Sequence, residues 1–120
     1  MRNLGRIREL AKTLEQHGHQ VTLPVDLSEA GTVVDRVKQK SLFMRQMYKE
    51  IQSCDSILAV NDETRSGYEG YIGANTFLEL GIGFALGKQL FCLNHWDPKL
   101  PFDEELSAMN IQRLDIHQRF

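Results

Sequence analysis

Glu79 is the residue of this sequence whose setting most clearly favours chemistry. It lies within residues 72–87, a stretch that is apolar almost all round and is therefore predicted to form one mostly buried helix. A buried carboxylate is costly unless something specific holds it. Helix side chains lean toward the N-terminus, so the Glu79 carboxylate would lie over Asn75 and Thr76, where the helix dipole favours the ionised form. This pattern predicts a reactive anion at the floor of a pocket; the open alternative is a buried acid paired with an arginine.

Glycines precede and interrupt this predicted helix. Gly73 is predicted to be a loop residue just before the helix, and Asn75 or Thr76 is predicted to cap its N-terminus. Three further glycines each weaken a helix interior by roughly 1 kcal/mol, which predicts that something packs closely against the helix. These are Gly81, Gly83 and Gly87. Their spacing matches neither a P-loop nor a dinucleotide fingerprint.

Other polar residues follow the predicted strands. In a doubly wound sheet, ligands bind outside the carboxyl ends of the strands. Asp55 precedes the predicted strand at residues 56–60, so it lies at the wrong edge and is predicted to be structural. The residues expected at the right edge are Asn61, Asp62 and Glu63 after that strand, Asn94 and His95 after the next one, and Gly73, Asn75 and Glu79 where the helix begins.

The polar loop between residues 61 and 71 also contains two aromatic side chains. The rings of Tyr68 and Tyr71 are flat and could cover a heterocyclic base, although packing of the loop as a lid is the alternative. Asp62 and Glu63 have the alternative of a merely solvated loop. The four histidines show no ligand spacing, so the sequence predicts no metal and no cofactor.

The elements that position these residues alternate between helix and strand. A helix through Leu4 and Leu14 is closed by Gly18. A short strand at residues 20–23, a turn at 26–29 and a helix to about Ser53 follow. Apolar residues predicted to face the core from this last helix are Met44, Met47, Tyr48 and Ile51. Further strands are expected at residues 56–60, 89–94 and 111–116, separated by the helix at 72–87 and a short one at 103–109. This order predicts one α/β domain over residues 1–120 with an open, mostly parallel, doubly wound sheet.

The predicted order lacks an opening strand. In the flavodoxin-like order 2-1-3-4-5, the first strand is central, and this sequence begins directly with a helix. We expect the natural chain to be longer at its N-terminus. The alternatives are a rearranged sheet and a gap filled by another chain.

Composition places the sequence among ordinary globular proteins. It has 120 residues, 42% hydrophobic and 25% charged, with a formal net charge of −2, so no basic excess indicates nucleic acid as a partner. No apolar run is long enough to span a membrane, and the N-terminus is not a signal peptide. Cys54 and Cys92 lie in apolar surroundings and are interpreted as reduced residues of a cytoplasmic protein.

Three segments carry a resemblance to a known family. They are residues 54–61 (CDSILAVN), residues 75–81 (NTFLELG) and residues 85–88 (ALGK) with the strand that follows. The sequence resembles the nucleoside 2-deoxyribosyltransferase family, especially its small bacterial and archaeal members. The resemblance implies a flavodoxin-like fold and chemistry at the N-glycosidic bond of nucleosides or nucleotides. It also implies that Glu79 is the nucleophile of a retaining mechanism.

The sequence departs from the family pattern at several places. Family members open with a strand and a glycine-containing loop, whereas this chain begins just past them. Met47 and Gly73 stand near positions where many members carry a supporting aspartate. In the family, the region after the last long strand can complete the site of a neighbouring subunit. Here that region is residues 101–110, with Met109 and Asn110 as candidates, and the resemblance therefore implies a homodimer or larger homo-oligomer.

The leading hypothesis is a cytoplasmic N-glycosidic-bond transferase or hydrolase that acts on a small nucleoside or nucleotide. Glu79 would be the nucleophile, and Tyr71 would contact the base. Asn75, Asn61 and Asp62 would orient the sugar, and Gly73 and Asn94 would complete the binding site. One alternative is a binding module of the same fold without turnover. Another is a structural remnant that folds only as an oligomer.

Overall fold

The computed structural model describes residues 4–16, 18, 20 and 33–115. The chain divides into two compact units, one up to Gln46 and the other from Met47 onward. Apart from Gln20, the strand predicted at residues 20–23 lies outside the described residues, as do the turn predicted at 26–29 and Ile116. Among the helices in the described part of the chain, none combines the length and apolar character needed to cross a bilayer.

The first helix, α1 (Leu4–Gln16), confirms the prediction from apolar spacing. Leu10 and Ala11 are buried, as expected for neighbours on the apolar face of an amphipathic helix. Gly18 follows with φ +89°, and its N–H donates to Glu15 O at 3.0 Å. Because the left-handed region favours glycine, this residue closes the helix as predicted.

The second helix, α2 (Val33–Ser53), ends where the sequence predicts. Its buried face is formed by Phe43, Met47 and Ile51, which are spaced four residues apart. Met44 and Tyr48 are 41% and 44% exposed, so the prediction that they belong to the core is wrong. Each lies about 100° around the helix from its buried neighbour, and the missing member of the buried face is Phe43.

The described residues form a sheet of three parallel strands in the order β1 (Ser56–Ala59), β2 (Gln89–Cys92), β3 (Gln112–Arg113). Ser56 pairs with Gln89 and Ala59 with Cys92, so β1 and β2 end together. Helices α3 (Ala74–Ala85) and α4 (Asp103–Ala108) lie between successive strands in the chain. This architecture is α/β with an open parallel sheet and matches the flavodoxin-like fold. The last strand is shorter than the predicted 111–116.

Helix α3 packs on β1 and β2 through Leu80 and Gly83. A Cβ added at Gly83 would overlap Cδ1 of Ile57 and lie 3.0 Å from Cδ2 of Leu90, which confirms close packing at this glycine. The outer face of α3 is exposed at Leu78 and Phe84, so the prediction that most of this helix is buried is wrong.

At the other two glycines of the predicted helix, the prediction of close packing is wrong. Gly81 has ordinary space around it, since an added Cβ would lie 3.8 Å from Met109 Cε. Gly87 lies beyond the helix with φ +74°, and its N–H donates to Phe84 O at 3.1 Å. Lys88 N–H donates to Gly83 O at 2.8 Å. These two bonds form a Schellman motif, which explains why a glycine follows α3.

The core of the second unit lies between α3, α4 and the sheet. Its buried side chains include Ile72, Leu80 and Leu106, each at most 1% exposed. Phe77 of α3 stacks on Phe102, with ring centroids 4.6 Å apart. The short helix α4 confirms the prediction at residues 103–109 within two residues.

Candidate active site

The loop from β1 to α3 is held by its own main chain. Arg65 and Tyr68 form an antiparallel bridge, with reciprocal N–H to O distances of 3.0 and 2.9 Å. Ser66 and Gly67 between them both have positive φ, as in the tight two-residue turn of a hairpin. Tyr71 N–H donates to Glu63 O at 3.0 Å, which brings the two ends of the loop together.

Asn61 joins the carboxyl ends of β1 and β2. Its Oδ1 accepts from the N–H groups of Leu93 and Asn94, both at 3.0 Å. Its Nδ2 donates to Asn94 O at 2.6 Å and to Gly70 O at 3.2 Å. The residue is 2% exposed, and both donors and both acceptor positions of the amide are used. This occupancy argues against the prediction that Asn61 orients a sugar, because no hydrogen-bonding capacity of its side chain remains.

Asn94 returns a bond to Asn61. Its Nδ2 donates to Asn61 O at 3.2 Å, so the two residues are bonded in both directions. Its Oδ1 accepts no hydrogen bond within the part of the chain that the structure describes. Asn94 is half-buried, so this oxygen is the free polar atom that the pair offers to a ligand.

Gly70 allows the loop to approach the end of β2. Its φ is +59°, and a Cβ added there would overlap the carbonyl oxygen of His95. The neighbouring atom belongs to the main chain of His95 and not to a flexible side chain, so moving it would have a high energetic cost. Only glycine fits this position while Gly70 O accepts from Asn61.

Arg113 holds the end of β2 from the other side. Its Nε–H donates to Leu93 O at 3.2 Å, while the N–H of Leu93 is shared between Asn61 Oδ1 and Ala59 O. The terminal guanidinium nitrogens of Arg113 make no hydrogen bond or ion pair to residues 33–115. They are therefore free to donate to a ligand.

These residues surround a cleft of about 410 Å³ at the carboxyl edge of the sheet. Its volume lies within the range of small-molecule sites. It contains carboxylates and one guanidinium, so it offers both acceptors and donors. The cleft is lined by Asn61, Asp62, Glu63, Thr64, Glu69, Gly70, Asn94, His95 and Arg113.

The structure divides the predicted site residues into two groups. The cleft brings together Asn61, Asp62 and Asn94, but Glu79 does not line it. Glu79 and Asn75 lie on α3, four residues apart and therefore on one face of the helix. Glu79 is half-buried, so its carboxylate is less enclosed than the buried carboxylate that the sequence predicts.

The start of α3 differs from the prediction. Gly73 is the N-cap residue, with no side-chain cap bond, and Ala74 is the first helical residue. Asn75 and Thr76 lie inside the first turn, so the prediction that one of them caps the helix is wrong. Phe77 N–H donates to Gly73 O at 2.9 Å, which begins the helical ladder at the glycine.

Tyr68 and Tyr71 are half-buried and pack against the hydrophobic core of the second unit. This contact favours the lid-packing interpretation for both rings. Glu69 and Gly70, which lie between the two tyrosines in the chain, line the cleft, whereas neither tyrosine does.

Met109 and Asn110 lie at the opposite edge of the sheet from the cleft. They line a second pocket, of about 360 Å³, together with residues at the start of β2 and the end of α3. Asn110 has φ +55°, as expected for a turn before β3. Within one subunit these two residues are thus remote from the carboxyl edge.

Sequence reasoning missed Gly70 and Arg113. The prediction of a strand over residues 111–116 placed Arg113 in mid-strand, whereas β3 ends at that residue and its side chain reaches the edge. Gly70 contacts a main-chain segment 25 residues away, and spacing along the sequence carries no signal of that contact.

Both cysteines are free. Burial raises the pKa of the Cys92 thiol, and desolvation likewise raises the pKa of Cys54. Neither thiol is therefore readily deprotonated at neutral pH.

The comparisons with known proteins agree with this architecture. Curated proteins and solved structures gave no match. The family profile described as nucleoside 2-deoxyribosyltransferase matches residues 3–112, which is most of the chain and includes β1, α3, β2 and every residue that lines the cleft except Arg113. The chain belongs to the nucleoside 2-deoxyribosyltransferase family.

Proposed function

We propose that this protein cleaves or transfers the N-glycosidic bond of a nucleoside or nucleotide, with Glu79 as the nucleophile. The observation that carries the proposal is the family match over residues 3–112, which includes the Glu-Leu-Gly segment of α3. Glu79 lies in the second turn of that helix and is half-buried, so a ligand can reach it. The positive end of the helix dipole favours its anionic form, although this effect weakens beyond the first turn.

The chemistry has two steps. The Glu79 carboxylate attacks the anomeric carbon while the bond from that carbon to the base nitrogen breaks, and the base leaves with the electron pair. The resulting glycosyl ester is then attacked by water, which gives hydrolysis, or by a second base, which gives transfer. In both cases the bond from the anomeric carbon to the Glu79 oxygen breaks and the free carboxylate is regenerated. The proton that the attacking water or base loses balances the proton that the departed base takes up.

We propose that the substrate contacts residues of the cleft and residues at the start of α3. Asn94 Oδ1 and Asp62 would bind polar groups from the cleft, while Gly73 and Asn75 would do so from the start of α3. Tyr71 would contact the base with the part of its ring that is not packed on the core.

The test is release of free base from a panel of nucleosides and nucleoside monophosphates, with and without a second base. Wild type is compared with Glu79→Gln, Glu79→Ala and the control Glu15→Gln, which changes an exposed carboxylate of α1. We expect release in wild type and the control, and a loss of at least about 10³-fold in both Glu79 variants, because a covalent nucleophile is removed. Release that survives both Glu79 substitutions would refute the assignment.

A second candidate is a nucleotide-binding module without turnover. It is favoured by one observation, namely that the cleft at the carboxyl edge is not lined by Glu79. Calorimetric titration with nucleoside monophosphates separates the two. Binding that is unchanged in Glu79→Gln, with no base released by wild type, would favour the module.

We further propose a cytoplasmic protein that forms a homodimer or larger homo-oligomer. Two free cysteines with raised thiol pKa values suit a reducing compartment. Sedimentation over a range of protein concentrations tests the assembly, and a monomeric mass with a concentration-independent Tm would contradict it.

A further inference from the structure

The side-chain amide of Asn61 already makes all four of the hydrogen bonds that it can form. It accepts from two main-chain N–H groups and donates to two main-chain carbonyls, and the residue is 2% exposed. A ligand could bind this amide only by displacing one of those partners. Leu93 N–H would keep its bond to Ala59 O, but displacing Asn94 N–H, Asn94 O or Gly70 O would leave a main-chain group near the core without this partner, which is unfavourable.

The partners of Asn61 belong to segments that are far apart in sequence. Leu93 and Asn94 lie at the end of β2, whereas Gly70 lies near the end of the loop that starts at Asn61 itself. Asp97 N–H adds a parallel bond to Glu69 O at 3.1 Å. The last part of the loop is therefore fastened to the segment that follows β2.

The fastened loop leads directly into α3. Ile72, two residues after Gly70, is 1% exposed, and Gly73 is the N-cap whose carbonyl accepts from Phe77. Only three residues separate Gly70 from the first residue of α3. A loop held at Gly70 thus fixes where the helix begins, and with it the positions of Asn75 and Glu79 along the helix.

We propose that Asn61 is a positioning residue, which couples the end of β2 to the start of α3 and does not itself contact substrate. The expected effect on catalysis by Glu79 rests on the proposed function. The structural coupling between the end of β2 and the start of α3 does not, and it is measured separately. The same amide also fixes the main chain of Asn94, so that its free Oδ1 has a defined position at the cleft.

The main variant is Asn61→Asp, which keeps the size of the side chain. Its carboxylate can still accept from Leu93 and Asn94, but it places an anion against the carbonyls of Gly70 and Asn94. Burial and these carbonyls favour the protonated carboxyl, which is neutral and again a donor. The N–H groups of Leu93 and Asn94 favour the anion, but burial and the two carbonyls oppose it, and we expect these to raise the folded-state pKa. Stability would then be retained at low pH and lost as the pH rises through that pKa.

The structural measurement is hydrogen exchange at three amides. Relative to wild type, Asn61→Asp should exchange roughly tenfold or more faster at about pH 8, and this difference should shrink at about pH 5. The amides are those of Tyr71, Asp97 and Phe77, which report the loop, its attachment and the start of α3. Lys88 N–H, which donates to Gly83 O at the far end of α3, should not change.

Two controls separate the coupling from other titrations. Gln112→Glu makes the same amide-to-carboxylate change at an exposed residue of β3 and should leave the three amides unaffected. The charged and titratable groups that face the cleft are Asp62, Glu63, Glu69, His95 and Arg113. They are present in every variant, so dividing each exchange rate by the wild-type rate removes their contribution. If Asn61→Asp does not fold, Asn61→Ser removes the amide without adding charge and is measured in the same way.

The activity measurement separates positioning from direct contact. Base release is compared for the best substrate and for the same substrate lacking the 3′-hydroxyl or the 5′-hydroxyl. A positioning residue predicts that Asn61→Asp lowers kcat with little change in KM, by the same factor for every analogue, with recovery at low pH. A loss that disappears for one analogue would mean that Asn61 binds that hydroxyl, and the proposal would be overturned.

The two failures are distinguishable. If wild type releases no base from any nucleoside or nucleotide, the proposed function fails, while the exchange measurement still decides the coupling. Unchanged exchange at Tyr71, Asp97 and Phe77 in both Asn61 variants would overturn the coupling, whatever the activity. Faster exchange at Tyr71 and Asp97 alone would place the effect in the loop and would likewise overturn a role at α3.

Discussion

The carboxyl and amino edges of the three-stranded sheet are closed in different ways. At the carboxyl edge, the side chains of Asn61, Asn94 and Arg113 bond to the main chain of neighbouring strands. At the amino edge, most bonds join main chain to main chain: Gln89 N–H donates to Asp55 O, and the turn after α3 is a Schellman motif. The side-chain bond at this edge from Lys88 Nζ to Gln52 O is exposed. Pockets of similar volume, about 410 and 360 Å³, lie at the two edges.

This difference has a consequence for tolerance to substitution. Main-chain bonds are available to almost any residue type, so the amino edge constrains its sequence weakly. Side-chain bonds require particular residues, so the carboxyl edge concentrates the sensitive positions. The ligand rule for open α/β sheets applies to this same edge. We infer that specific side chains here hold the cleft in shape as well as furnish its contacts.

The largest difference between the edges is expected for glycine substitutions. Gly70→Ala adds strain at φ +59° and an overlap with His95 O, and it should lower the free energy of unfolding by about 3 kcal/mol. Gly87→Ala adds only the strain at φ +74°, since open space surrounds an added Cβ, and should cost about 1 kcal/mol. Urea denaturation measures both. Equal losses would show that the approach to His95 is not a constraint.

The contrast between these glycines also shows which structural constraints can be predicted from the sequence. Gly87 follows an apolar helix, which is a local signal of a helix end, although the prediction above places it inside the helix. Gly70 lies in a polar loop that looks unremarkable along the sequence, because its constraint comes from a main-chain segment beyond β2. Local chemistry is visible in sequence, whereas a tertiary approach of two main chains is not.

The same limit applies to the site. The edge rule placed Asn61, Asp62 and Asn94 together because each follows a strand, and the structure finds all three around one cleft. The sequence could not show that the Asn61 amide is fully used, since three of its four partners lie more than 30 residues away. Apolar spacing on α2 likewise predicted a core stripe but could not decide which side of that stripe is covered.

Side-chain hydrogen bonds at the two edges should differ by a smaller amount. Asn94→Ala removes the half-buried bond to Asn61 O and should cost about 1 kcal/mol. Lys88→Met removes the exposed bond from Nζ to Gln52 O, near the C-terminus of α2, and should cost about 0.3 kcal/mol. Thermal melting at low and high salt distinguishes the two losses of stability, because salt screens the bond made by the charged lysine and not the bond made by the neutral asparagine. A larger loss for Lys88→Met would reverse the comparison.

The smallest effect concerns the two thiols, one at each edge. Cys54 precedes β1 at the amino edge and is half-buried, while Cys92 ends β2 at the carboxyl edge and is buried. Desolvation raises both thiol pKa values, so folding favours the neutral form. The stability that each thiol contributes is complete below its ordinary pKa and falls as the pH rises through the raised value.

Alkylation by iodoacetamide, followed by mass spectrometry, tests this difference in the native protein. Both cysteines should react more slowly than glutathione, because the thiolate is the reactive form and folding suppresses it. Cys54 should react before Cys92, and both rates should increase as the pH rises. The stability difference between wild type and Cys92→Ala should shrink at alkaline pH for the same reason. Alkylation of Cys92 as fast as Cys54 would mean that the side-chain bonds at the carboxyl edge open as readily as the main-chain bonds at the amino edge, which would remove the basis of the comparison.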